Sequence, residues 1–136
     1  MKEKSAIFAT GAAGYSCIEL LARGHTHWTM AVLGGVCLLC LLGIARQFAS
    51  LPILVQAGLG ACVITVLEFA TGLIVNLALG WNVWNYGHEF GNVLGQICPL
   101  FSFLWFLLCI PVFGGIRLFR KLRTARTADD LLENES

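Results

Sequence analysis

The chain has 136 residues, of which 57% are hydrophobic and 12% charged, with a mean hydropathy of +0.77 and a formal net charge of +1. An average soluble domain carries about 25% charged residues, so this composition excludes an ordinary soluble protein. It predicts an integral membrane protein, and no nucleic-acid motif, phosphate loop or internal repeat is present.

Apolar runs cover residues 6–22, 28–46, 52–79 and 96–116. Each is close to or above the roughly 20 residues that cross about 30 Å of hydrocarbon as a helix. The expected fold is all-α: a four-transmembrane-helix bundle over 1–116, with an interfacial or re-entrant segment between the third and fourth helices. A basic-then-acidic tail follows over 117–136. Lys2 and Lys4 ahead of an apolar stretch imitate a signal peptide, but Glu19 interrupts the run and no small-x-small cleavage site follows, so the first helix is expected to be retained. Four spans with a cytoplasmic N-terminus put Lys2, Lys4, Arg46, Arg117, Arg120, Lys121, Arg123 and Arg126 inside and leave Arg23 outside. That asymmetry predicts that both termini are cytoplasmic.

The first helix carries Gly11, Ala12, Ala13 and Gly14, small residues of the kind that let membrane helices approach closely. Toward its outer end Glu19 and Arg23 are four apart, and on a helix they stack and pair. An ionisable residue inside a span is costly and marks a pathway or a site. Residues 23–27 form an outer turn with His25 and His27, and Trp28 anchors the second helix at the interface. That helix has no ionisable residue in its interior and reads as a supporting wall.

Pro52 suits the start of the third helix. At 1.5 Å per residue, Glu68 lies roughly 24 Å above Pro52, near the outer boundary, at nearly the depth of Glu19. Glu68, Thr71 or Gly72, and Asn76 repeat at helical spacing as a polar stripe. Residues 80–95 hold no lysine or arginine and are rich in aromatics and amides. If this stretch is helical, Gly87, Gly91 and Gly95 give it a bare stripe for another helix, with His88 and Glu89 beside the contact. Trp81, Trp84 and Tyr86 fit either an aromatic belt or the lining of a ligand site. The fourth helix opens at Gln96, tolerates Pro99 in its first turn and is expected to kink at Pro111. The stretch 117–126 is basic and suits anionic inner lipid, and 129–136 reads as an acidic, disordered end. The six cysteines lie within or at the edge of the helices and read as small packing residues, Cys37 and Cys40 included.

Taken together, Gly14 to Glu19 (Gly-Tyr-x-x-x-Glu), Arg23 to Trp28 (Arg-Gly-x-Thr-His-Trp), Glu68 to Gly72, Trp84 to Tyr86 and Gly95 to Pro99 (Gly-Gln-Ile-Cys-Pro) form a distinctive pattern. Over residues 11–106 it resembles a family of small bacterial membrane proteins catalogued as type IV ABC-transporter permeases. The resemblance implies transport in a bacterial inner membrane. It brings no substrate, cofactor or catalytic residue with it.

Three functions compete. The first is a transporter or channel component for a small molecule or ion. Glu19, Arg23 and Glu68 form its centre and His27, Asn76, Trp84, Tyr86, His88, Glu89 and Gln96 its rim. Four helices make a thin wall, so a homo-oligomer or a partner membrane subunit is expected. The second is a metal-dependent or redox enzyme of the outer leaflet, with His25, His27 and His88 as ligands. The third is a non-catalytic accessory or assembly subunit, in which ion pairs fix helix register. No motif identifies a cofactor.

Overall fold

The computed structural model describes residues 1–134. Four long helices account for most of them: α1 (Lys2–Arg23), α2 (Trp28–Gln47), α3 (Ile53–Gly72) and α4 (Pro99–Asn134). A π-helical segment, Leu73–Ala78, continues α3. All four are long and apolar enough to cross a bilayer, so this is a polytopic α-helical membrane protein. Among the described residues there is no strand, only an isolated bridge between Val93 and Ile97.

The helices form two hairpins. α1 packs along α2, α3 packs along α4, and α2 joins the pairs by lying against α3. One end of the bundle carries the α1–α2 turn and the 79–98 loop; the other carries both chain termini and the α2–α3 turn. The first hairpin closes through glycine. A Cβ on Gly11 would sit 2.5 Å from the Gly34 carbonyl oxygen, one on Gly34 would collide with the Tyr15 Cβ, and one on Gly35 would sit 2.5 Å from the Phe8 ring. Bare backbone on both faces allows that approach, and in lipid close packing must replace the hydrophobic force that drives association in water. Gly14, expected to share this contact, has nothing nearby. The centre of the bundle is apolar: Met30, Leu33, Cys37 and Leu41 of α2 meet Ala57, Ala61 and Ile64 of α3 and Cys109 and Phe113 of α4.

At the terminal end, arginines close the helix ends. Arg120 donates to the Ala45 carbonyl in the last turn of α2 at 2.9 Å, and Arg117 donates to the Leu51 carbonyl. The Arg120 cation on an orphan carbonyl at the α2 C-terminus satisfies it and complements the helix dipole, while Arg117 ties down the α2–α3 turn.

Three local expectations change. The fourth helix begins at Pro99, so Gln96 belongs to the loop before it. The acidic stretch expected to be disordered is helical through Asn134; Glu135 and Ser136 lie outside the described residues. After Gly115 the chain has no glycine or proline and is rich in leucine and arginine, both good helix formers, so nothing stops α4. Pro111 lies inside α4, and helix continues on both sides of it.

The third change concerns Gly87, Gly91 and Gly95, which do not form a helical stripe. Gly91 and Gly95 sit at φ of 68° and 69° in an irregular loop, left-handed conformations that glycine adopts without strain.

Gly34→Val should therefore prise α1 from α2. We expect a loss of about 1–3 kcal/mol, the usual cost of overpacking, measured by thermal or denaturant unfolding in detergent. Gly14→Ala should cost nothing and should gain up to about 1 kcal/mol, because alanine is the better helix former.

Candidate functional site

Glu68 lies near the loop end of α3 and is 1% exposed. A carboxylate this deep needs donors on both oxygens. The Tyr86 hydroxyl donates to Oε1 at 2.9 Å, and the Trp105 indole N–H donates to Oε2 at 3.1 Å. The Tyr86 oxygen in turn accepts from the Arg23 guanidinium at 3.0 Å, and that guanidinium stands 3.8 Å from Glu19 and 5.4 Å from the centre of the Tyr86 ring. The result is a continuous relay, Glu19–Arg23–Tyr86–Glu68–Trp105, crossing from α1 through the loop to α3 and α4.

Local structure sets each member. The four-residue spacing brings Glu19 and Arg23 together in the last turns of α1, and Gly24 at φ 73° ends the helix just beyond them. Tyr86 is placed by its backbone and by its ring. Its N–H donates to the Gly95 carbonyl at 2.7 Å, its carbonyl accepts from Glu89 N–H at 2.9 Å, and the ring stacks on Phe101 at 4.5 Å. Burial, reinforced by the negative Glu68 beside it, pushes the Tyr86 phenol above its ordinary pKa. The hydroxyl therefore stays protonated and remains a donor. Tyr15 stacks on Trp105 at 5.4 Å, and its own hydroxyl is buried without a hydrogen-bond partner among the described residues.

A second network holds the loop itself. Asn76, in the π-helical segment, donates to the Gln96 side chain at 2.8 Å and accepts from Val83 N–H at 2.7 Å. Gln96 donates to the Leu94 carbonyl at 2.7 Å, and its own carbonyl accepts from the Trp84 indole at 3.0 Å. The widened π turn presents Asn76 to the loop, a common placement for such turns. A Cβ on Gly72 would sit 2.5 Å from the Gln96 side-chain oxygen, so the close fit needs glycine there.

The expected residues thus divide. Glu19, Arg23, Tyr86 and Glu68 share one relay, although Arg23 reaches Glu68 through the Tyr86 hydroxyl and not directly. Asn76, Trp84 and Gln96 secure the loop. His27 caps α2, its Nδ1 accepting from Thr29 N–H at 3.4 Å, and its ring lies beside Trp28 and Trp81. Of the three loop aromatics considered for a belt, Trp81 is exposed and Trp84 and Tyr86 are buried. His25 is exposed beside the Arg23 carbonyl, His88 is exposed, and Glu89 is half-buried. Among the described residues no three His, Cys, Asp or Glu side chains come together as a metal-binding group, so His25, His27 and His88 do not form one.

Trp105 and Tyr15 were not foreseen. The available signal was an indole N–H inside an apolar span, which must find a buried acceptor.

Fold and site define a small polytopic membrane protein with a buried acid–tyrosine relay at one end. The family described as "Putative ABC-transporter type IV" matches residues 15–130, and the chain belongs to it. No curated protein and no solved structure matches it.

Tyr86→Phe keeps the ring stack but removes the donor to Glu68 Oε1 and the acceptor of the Arg23 hydrogen bond, leaving Glu68 with Trp105 and Arg23 with Glu19. It should cost about 1.5–3 kcal/mol, the range for hydrogen bonds to charged groups, whereas His88→Ala should cost nothing measurable in the same detergent melts. Because burial raises the folded-state pKa of Tyr86, its contribution is intact below about pH 10, where free phenols titrate. As pH rises beyond that the wild type should lose stability faster than Tyr86→Phe.

Proposed function

We propose that the protein is a membrane subunit of a transport system, oriented with its termini in the cytoplasm. The Glu19–Arg23–Tyr86–Glu68 relay then lies at the extracytoplasmic face as the site for an ion or small polar solute. The eight-to-one distribution of lysine and arginine between the two ends supports the orientation. A bacterial inner membrane fits the family resemblance.

One observation carries the site assignment. Two carboxylates sit on either side of a single guanidinium, Glu19 by an ion pair at 3.8 Å and Glu68 through the Tyr86 hydroxyl. With both acids ionised the cluster holds one uncompensated negative charge inside the bundle, and such a charge in a membrane is costly. A proton or a monovalent cation restores balance. Glu68 bonds donors from both the loop and α4, so any change in its charge is felt at the loop that covers this end. The relay is thereby suited to couple ion binding to opening of the 79–98 loop. The Tyr15 hydroxyl beside Trp105, buried without a partner among the described residues, adds a polar contact for an entering solute.

The accessory-subunit reading also has an observation in its favour: both Glu68 oxygens are already satisfied by protein donors. The two readings separate in proteoliposomes loaded with a pH-sensitive dye. Proton entry under an imposed potential should exceed that of protein-free vesicles and fall at least tenfold in Glu19→Gln combined with Glu68→Gln, a barrier change of about 1.4 kcal/mol. Flux at the protein-free level, or flux untouched by the double substitution, contradicts the transport reading and leaves the accessory one.

A further inference from the structure

A second feature lies at the opposite end of the bundle. α1 and α4 touch where Tyr15 stacks on Trp105, and toward the chain termini they leave a cleft of about 930 Å³ between them, floored by α2. Ile7 and Thr10 form one wall, Leu38 and Leu42 the floor, and Val112 and Ile116 the other wall. Its lining on α4 runs from Pro111 to Arg123, a rise of about 18 Å. That is close to the depth of one leaflet, half of an apolar core about 30 Å thick. The volume lies within the range of ligand sites, about 300–1,000 Å³.

The chemistry changes sharply at the mouth. Arg46, Arg120 and Arg123 line it, with Glu3 as the acid among the lining residues. Arg46 stands 3.9 Å from Glu3, both side chains largely exposed. Arg120 is held by its bond to the Ala45 carbonyl, which fixes the guanidinium and leaves its other N–H groups available. Arg123 is exposed. Guanidinium groups match phosphate in a fork geometry that lysine does not offer.

We propose that this cleft binds one anionic glycerophospholipid, its acyl chain lying in the apolar trough and its phosphate on Arg46, Arg120 and Arg123. A phospholipid satisfies both halves of the site at once: hydrocarbon for a slot one leaflet deep, and an anion where the slot meets water. A second copy of this chain is a poorer occupant, because its segments at this end carry eight lysines and arginines against five acids and so bring net positive charge to a mouth already cationic. Basic pockets between helices at a membrane surface recognise acidic headgroups on the same grounds.

Gly115 supplies a clean test. It lines the cleft, and a Cβ there would meet nothing within 4 Å. Gly115→Leu therefore places side-chain volume in the trough from a Cβ that meets no neighbour, and it replaces glycine with a better helix former. Purified full-length protein is stripped of lipid in detergent and titrated in native mass spectrometry with dioleoyl phosphatidylglycerol, dioleoyl phosphatidylcholine or glycerol phosphate. One phosphatidylglycerol should be retained at least about tenfold more tightly than phosphatidylcholine, and glycerol phosphate should not be retained. Arg123→Gln and Arg120→Gln should each weaken retention roughly fivefold, as expected for one cation near a charged lipid. Gly115→Leu should weaken it severalfold while the melting temperature is held. Equal retention of the two lipids, a phosphatidylglycerol adduct unchanged by Gly115→Leu, binding of glycerol phosphate alone, or a lipid-free dimer overturns the proposal. Arg123→Gln on an exposed position separates loss of the site from loss of the fold.

Discussion

The carboxylate of Glu68 is the constraint to which the loop end of this protein answers. Charge inside a membrane bundle is tolerable only with complete hydrogen bonding, and each oxygen of Glu68 has one donor, from Tyr86 and from Trp105. Those two donors come from different elements. To supply them, the 79–98 loop must fold back over the end of α3, and α4 must present its indole toward α3. Arg23 then completes the chain by engaging the phenol oxygen and drawing in the end of α1.

The remainder of the loop follows from the same need. It holds little regular structure, so side-chain amides supplement its backbone bonds: Asn76 and Asn92 accept from Val83 and Gly95, while Gln96 donates to Leu94. Leu94 and Gly95 both take left-handed conformations, at φ 52° and 69°. A leucine in that region is strained, and the bonds around it hold it there. These polar contacts place Tyr86 firmly although no helix or strand carries it. Small residues do the corresponding work lower in the bundle, where Gly11, Gly34 and Gly35 let α1 and α2 meet backbone to backbone.

Much of this was legible in the residues. Four apolar runs announced the four helices, because a span must be both long and apolar, and the spacing of Glu19 and Arg23 announced their pairing. Helix rise alone put Glu68 at the same depth as Glu19. What could not be read was contact across elements. Tyr86 reads equally as a belt aromatic until the loop is seen to fold inward, and Trp105 is hidden among apolar neighbours in α4. His27 looks like a site residue in a His-x-His turn, yet its nearest orphan donor is the Thr29 N–H at the start of α2, and the cap takes it. The four-residue glycine spacing at 87, 91 and 95 imitates a helix face, but glycine is equally the residue of left-handed turns, and the turns prevail. The helical tail shows the converse error: its charge suggested disorder, while its lack of glycine and proline sustains α4.

The central claim is that the hydrogen bond Glu68 accepts from Tyr86 holds the 79–98 loop against the bundle. Hydrogen-exchange mass spectrometry of Tyr86→Phe in detergent, at a pH where the wild type is fully folded, tests it most directly, since exchange reports local opening. The account predicts faster exchange across 79–98, with α1 and α2 below Tyr15 protected as in the wild type. Unchanged protection of the loop would contradict it.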